Sequence, residues 1–260
     1  MLRRLLFVTA TAALALGACN AAGPAATAIT DPKAIVSQSV QSLKDVKNFH
    51  FKADVGGTLN VNLTGSGSGS TLDLKGTTAE GDADLANKSF HVGFSAPSLF
   101  GVTGDIIVIG NTTYTKISIL GDKYTKTVAG ASDPAASAAT DPQTIINDVN
   151  KALSQPGVTA TKAADEPCGD QTCYHVTIAL SSSDLAGAIG SAAPSGLSGN
   201  GTVDVWAEKN DLRPVKIGIT ADAGTQGNVT VTLTLSNYNG TVTISAPPDS
   251  QVEASSPSPT

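Results

Sequence analysis

From Asn48 onward, apolar residues return at every second position, segment after segment, and that period constrains the fold more than any other feature. Phe49, Phe51, Ala53 and Val55 alternate with His50, Lys52 and Asp54. Leu59, Val61 and Leu63 alternate with Asn60 and Asn62, and Leu72 and Leu74 follow the Gly/Ser run 65–70, which reads as a hairpin loop. Phe90, Val92 and Phe94 alternate with His91 and Gly93; Ile106 to Ile109 is wholly apolar, and Tyr114, Lys116 and Ile117 continue a further strand. Successive side chains on a strand point to opposite faces, so such segments describe a sheet that is apolar on one side and polar on the other. After Pro156-Gly157 the same logic resumes. Val158–Lys162 and Cys173–Leu180 form a hairpin, followed by strands at Thr202–Glu208, Pro214–Ala221 and Asn228–Ser236, with a short edge strand at Thr241–Ser245. An antiparallel meander is the architecture this pattern predicts.

Two stretches break the alternation with helical spacing. Asp31-Pro32 offers an N-cap followed by proline at the first helical position, and Val36, Val40, Leu43 and Val46 then recur on one face. Asp141-Pro142 opens a second helix, with Ile145, Ile146, Val149, Ala152 and Leu153 as its apolar face. Ser183 can cap a short third helix carrying Leu185 and Ile189, and residues 118–140 read as loop. Both long helices present an apolar face that needs a partner, and the sheet supplies one.

The N-terminus assigns the compartment. Arg3 and Arg4 precede an apolar run from Leu5 to Leu16 that is too short to span a bilayer but suits a signal-peptide core. Leu16-Gly17-Ala18-Cys19 then resembles the lipobox of bacterial lipoproteins. The resemblance implies cleavage after Ala18 and lipidation of Cys19. Residues 1–18 are therefore read as signal peptide, 19–30 as a flexible Ala/Gly/Pro linker, 31–246 as one domain, and 247–260 as a disordered Pro/Ser-rich tail. The chain would sit outside the cytoplasm, anchored to the outer face of the cytoplasmic membrane.

Charge and cysteine usage agree with that placement. Removing residues 1–18 takes away Arg3 and Arg4 and no carboxylate, so the formal net charge moves from -6 to -8. Arg213 is then the single arginine, and no basic cluster suited to nucleic acid remains. Cys168 and Cys173 flank the turn Gly169-Asp170-Gln171-Thr172, and an oxidising compartment favours a local disulfide there.

Chemistry-bearing arrangements are absent from the pattern. His50, His91 and His175 each fall on the polar side of an alternating strand and read as solvent-facing. No catalytic triad, phosphate loop or metal-ligand spacing can be assembled, so the reading is a non-enzyme without catalytic residues, metal or cofactor.

The order of parts resembles the mycobacterial LppX/LprG/LprA/LprF lipoproteins. The resemblance is carried by the lipobox at Cys19, Phe49-His50-Phe51, the run from Gly104 to Tyr114, and the Asp-Pro helix at Asp141. It continues through Thr202-Val203-Asp204-Val205-Trp206-Ala207-Glu208, Leu212-Arg213-Pro214-Val215, and Leu235-Ser236-Asn237-Tyr238-Asn239-Gly240. That family implies an α+β fold: a strongly curved antiparallel half-barrel sheet, similar to the LolA/LolB carriers, with helices on its concave face enclosing an apolar cavity. The implied role is to bind acylated lipids or glycolipids and carry or present them across the envelope. Val36, Val40, Leu43, Ile145, Ile146, Val149 and Leu153 would line one wall of the cavity, and Phe49, Phe51, Phe90, Val92, Phe94, Ile106 and Val108 the other. The partners expected are the lipid, the membrane through the anchor and a membrane lipid transporter, for a monomeric protein. The rival reading is a fully packed surface lipoprotein that binds a protein partner or senses envelope state without lipid cargo.

Overall fold

The computed structural model describes residues 28–61, 70–128, 142–181, 199–222 and 224–253. Cys19, the signal peptide, most of the linker, the Asp141 cap, the Ser183 helix and residues 254–260 lie outside them.

Among the described residues one antiparallel sheet of 13 strands organises the chain. In chain order the strands are β1 (Asn48–Val61), β2 (Ser70–Asp73), β3 (Thr77–Asp84), β4 (Ser89–Ala96), β5 (Val102–Ile109), β6 (Thr112–Ile117) and β7 (Thr125–Val128). After helix α2 come β8 (Thr159–Lys162), β9 (Glu166–Cys168), β10 (Gln171–Leu180), β11 (Gly201–Glu208), β12 (Pro214–Asp222) and β13 (Gly227–Ser236). Their spatial order is β7-β6-β5-β4-β3-β1-β13-β12-β11-β10-β8, with β2 paired to β1 and β9 to β10. The end strands β7 and β8 do not pair with each other, so the sheet is an open half-barrel. The α+β half-barrel expected from the motifs is the fold observed.

Helix α1 (Pro32–Gln41) starts where the cap pattern places it: the Asp31 carboxylate accepts from the Lys33 amide at 3.0 Å, and Pro32 opens the first turn. A 3-10 turn, Ser42–Asp45, carries it into β1. Helix α2 (Pro142–Leu153) packs against α1, where the Ser37 hydroxyl donates to Asn150 Oδ1 at 2.8 Å and Lys33 Nζ to the Leu153 carbonyl at 2.8 Å. Both helices lie on one side of the sheet, with α1 against β8, β10 and β11.

The buried face of α1 is turned slightly from the one expected. Ile35 and Ser39 are fully enclosed beside Val36, while Val40 and Leu43 are only half-buried. A small residue at position 39 lets the helix approach its neighbours closely, and adjacent Ile35 then takes the innermost place.

Three features depart from the pattern-based reading. Strand β3 (Thr77–Asp84) was not expected, because its Thr, Ala, Gly and Asp residues lack large apolar side chains. Strand β7 lies in a segment read as loop. The chain also remains ordered beyond residue 246: Asp249–Gln251 form a 3-10 turn, and Val252 bridges Tyr124 in parallel. The Tyr124 amide donates to the Gln251 carbonyl and the Glu253 amide to the Tyr124 carbonyl, both at 2.8 Å. Residues 241–253 thus form a strap across the polar face, with 241–245 outside any strand and 247–253 not a disordered tail.

Candidate functional site: a half-covered apolar face

Antiparallel partners share a face, so the register defines which side chains look the same way. Phe51 lies opposite both Leu235 and Gly81; Gly81 opposes Val92, and Val92 opposes Ile106. One step along, Phe49 opposes Ala83, Ala83 opposes Phe90, and Phe90 opposes Val108. In the other direction Leu233 opposes Ile217, Ile217 opposes Val205, and Val205 opposes Val176. These residues form a single apolar face running from β5 to β10.

The two helices cover only part of it. Ile35, Val36, Leu153, Val176, Ile178 and Val205 belong to one buried cluster, on the β8–β12 half. Phe51, Val92 and Leu235 form a separate cluster, and around it Phe49, Phe90, Ile106, Leu233 and Tyr238 are only partly buried. Phe94 and Val108 are likewise half-buried. The helix residues and the sheet residues named from sequence therefore share a face but sit side by side. Val36, Ile146 and Leu153 are sealed into the interior, Val149 packs at its edge, and the Ile145 side chain lies outside the described part.

Small residues shape the uncovered half. The Phe51 and Phe90 rings stack at 5.3 Å, 7° from parallel, although β3 runs between their strands. Stacking across that strand is possible because β3 offers only Gly81 and Ala83 beneath them. A Cβ at Gly81 would collide with the His91 carbonyl. Likewise the Phe94 ring lies across Gly104, in space any side chain there would need. The trough is lined by aromatic rings above a floor of glycine and alanine.

A cavity of about 880 Å³ opens on the opposite, polar face, between the sheet and the C-terminal strap. His91, Asp105, Ile107, Lys116 and Tyr124 border it from the sheet, and Thr243 to Pro248 from the strap. None of the residues named from sequence for the lipid cavity lines it. Tyr124 donates its hydroxyl to Asp105, whose other oxygen lies 2.8 Å from His91 Nε2. Burial, followed by this hydrogen bond, pushes the Tyr124 hydroxyl up to about 12. The fully apolar run at 106–109 now has its reason, because Ile107 points to the polar face yet is enclosed there.

The histidines are on the polar face, but His175 is not solvent-facing. Its side chain is 14% exposed, its Nδ1 lies 2.9 Å from Glu166 and its Nε2 2.9 Å from Asp204. The ring stacks on Trp206 at 4.3 Å, with Lys216 Nζ 3.9 Å from the Trp206 ring centre. Cys168 and Cys173 form the expected disulfide across the β9–β10 turn, with Cα atoms 5.8 Å apart. Among the described residues, no group of three or more His, Cys, Asp or Glu is arranged to hold a metal ion, and no helix is long and apolar enough to cross a membrane.

No protein-family model matches the chain, and no curated protein matches its sequence. Solved structures do match. The lipoprotein LppX from Mycobacterium tuberculosis aligns with a TM-score of 0.51 at 17% identity, covering 82% of this chain and 97% of that one. LprF from Mycobacterium bovis aligns with a TM-score of 0.53 at 19% identity, covering 83% and 96%. The chain thus shares its fold with the mycobacterial lipoproteins LppX and LprF over nearly the whole length of both.

Proposed function

We propose that this protein is an extracytoplasmic lipoprotein, anchored through lipidated Cys19, that binds acylated lipids or glycolipids along its concave face and carries or presents them across the cell envelope. One observation carries the reading: among the described residues the two helices cover only half of a continuous apolar face and leave Phe49, Phe90, Phe94, Ile106, Val108 and Leu233 half-buried beside them. Folded proteins rarely leave so contiguous an apolar surface in water unless something occupies it. Acyl chains suit a trough of aromatic and aliphatic side chains, because each buried methylene contributes about 0.8 kcal/mol without a directional contact. A fold shared with a lipoprotein supports the same reading. The lining in this proposal is the uncovered set together with Phe51 and Val92, bordered by the half-buried Val40, Leu43 and Val149.

Val92→Trp fills the trough at its centre and is the direct test. The variant, extracted from its envelope and examined by native mass spectrometry, is expected to retain its fold and lose most of its co-purified lipid. Lipid retention equal to the parent's would remove the concave face as the binding site.

A further inference from the structure

Four large apolar side chains stand in solvent at one place on this molecule. Phe100 is 96% exposed, Leu120 76%, Ile119 67% and Leu99 39%. They occupy the β4–β5 and β6–β7 turns, which lie side by side at the same rim: the Ser118 amide donates to the Thr103 carbonyl at 2.9 Å, and the Thr103 amide to Ser118 Oγ at 3.0 Å. Hydrogen bonds from Leu99 to Ala96, Gly101 to Pro97 and Leu120 to Ile117 fix the shape of both turns. Ser98 ties the first of them to Lys75 on the β2–β3 turn. Phe100 itself adopts φ 58°, a conformation that a bulky residue rarely holds. A glycine or asparagine would form that turn at less cost, so the aromatic ring brings no benefit to folding.

Two further observations indicate what the tip meets. The apolar face of the sheet runs into it without a break: Val92 is followed along β4 by Phe94 and Ala96, which oppose Gly104 and Val102, and Gly104 opposes Ile117 just before Ile119 and Leu120. The reach of the tether is the second. The Ile29 amide donates to the Tyr174 hydroxyl at 3.1 Å, and Tyr174 pairs with Ala207 beside the β11–β12 turn, on the rim opposite the two apolar turns. The chain from Cys19 to Ala28 can extend roughly 30 Å at about 3.3–3.6 Å per residue. That exceeds the roughly 26 Å length of an eight-residue strand at about 3.3 Å per residue, so the anchor can share the leaflet that the tip enters.

We infer that Leu99, Phe100, Ile119 and Leu120 form a membrane-inserting tip, which seats the rim of the half-barrel in the lipid leaflet that holds the anchor. Lys75 and Lys123 stand beside Asp73 and Asp122 around these turns, so the tip carries no strong field of either sign. Insertion is driven by apolar burial and does not require an anionic surface. The purpose of the tip rests on the carrier reading, since it joins the leaflet interior to the concave trough and lets acyl chains pass without crossing water.

The test uses the full acylated chain in phosphatidylcholine vesicles with brominated acyl chains, which quench indole emission at membrane depth. Phe100→Trp and Leu120→Trp each place a probe in the tip, and the parent's Trp206 gives the background. Val128→Trp serves as the control, because Val128 is 65% exposed and its partner Thr112 opposes Ile109 at the far rim. Expected is a blue shift and loss of the added emission at both tip positions, with neither at Val128. Tip emission that stays red-shifted and unquenched overturns the proposal, and equal quenching at Val128 overturns it as well. A parent that inserts its tip yet retains no lipid would refute the carrier reading alone.

Discussion

Around His175 the polar face is organised one atom at a time. Glu166 accepts from Trp206 Nε1 at 2.9 Å with one oxygen and faces His175 Nδ1 with the other. The hydrogen bond from Trp206, then that from His175, holds its carboxyl below the ordinary 4.5. Neighbouring Asp165 is lowered as well, by Lys162 and Lys209. A carboxylate with a depressed folded-state pKa contributes stability that is complete above its unfolded value and is lost as pH falls through the folded one. Thermal stability of the parent is therefore expected to decline with acidification below 4.5. In Glu166→Gln the decline is expected to be shallower, starting from a lower melting temperature at neutral pH. Melting temperatures measured across that range check the sign, and an unchanged slope would exclude Glu166 as a contributor. Alternation along β10 placed His175 on the polar side correctly. It could not supply the partners, because Glu166 arrives through the β9–β10 turn and Asp204 through pairing with β11.

At the scale of elements, the sheet is most legible where its strands carry large side chains and least where they carry none. Strand β3 has no period-two apolar signal. Its place is set by neighbours whose rings need small residues beneath them, a requirement visible only once β1 and β4 are known to flank it. Helix α1 shows a related limit: its start was readable from Asp31-Pro32, since a cap is local, whereas its innermost residue depended on how closely Ser39 lets it approach. The two halves of the apolar face should respond differently to truncation. Ile35→Ala removes a fully enclosed side chain and is expected to cost about 2–5 kcal/mol, as for other large-to-small changes in cores. Val108→Ala, on the uncovered half, is expected to cost no more than about 1 kcal/mol in lipid-free protein. Urea denaturation of the delipidated chains gives both values, and equal losses would mean that the trough is packed as tightly as the core.

For the molecule as a whole, the sheet acts as a partition with a different cover on each side. Helices close half of the apolar face, while the strap at 241–253 crosses the other and encloses Ile107 and Tyr124. The strap was not legible as structure, because Pro, Ser and Thr composition reads as tail and its destination beside β7 is set by the backbone bonds of Tyr124. Its cavity of about 880 Å³ is a competing place for a ligand, bordered by Asp105, Lys116 and His91 instead of aromatic rings. Ending the chain after Gly240 separates the two sites. Exposing the enclosed apolar surface, at about 25 cal/mol per Å² over roughly 100 Å², is expected to cost about 2–3 kcal/mol in urea denaturation. Lipid bound on the concave face should survive, because no described residue after Gly240 belongs to either buried cluster or to the partly buried residues around them. Native mass spectrometry of the shortened chain reads the outcome. Retained lipid places it in the trough, whereas lipid lost together with the strap would place it in the outer cavity and reverse the roles of the two faces.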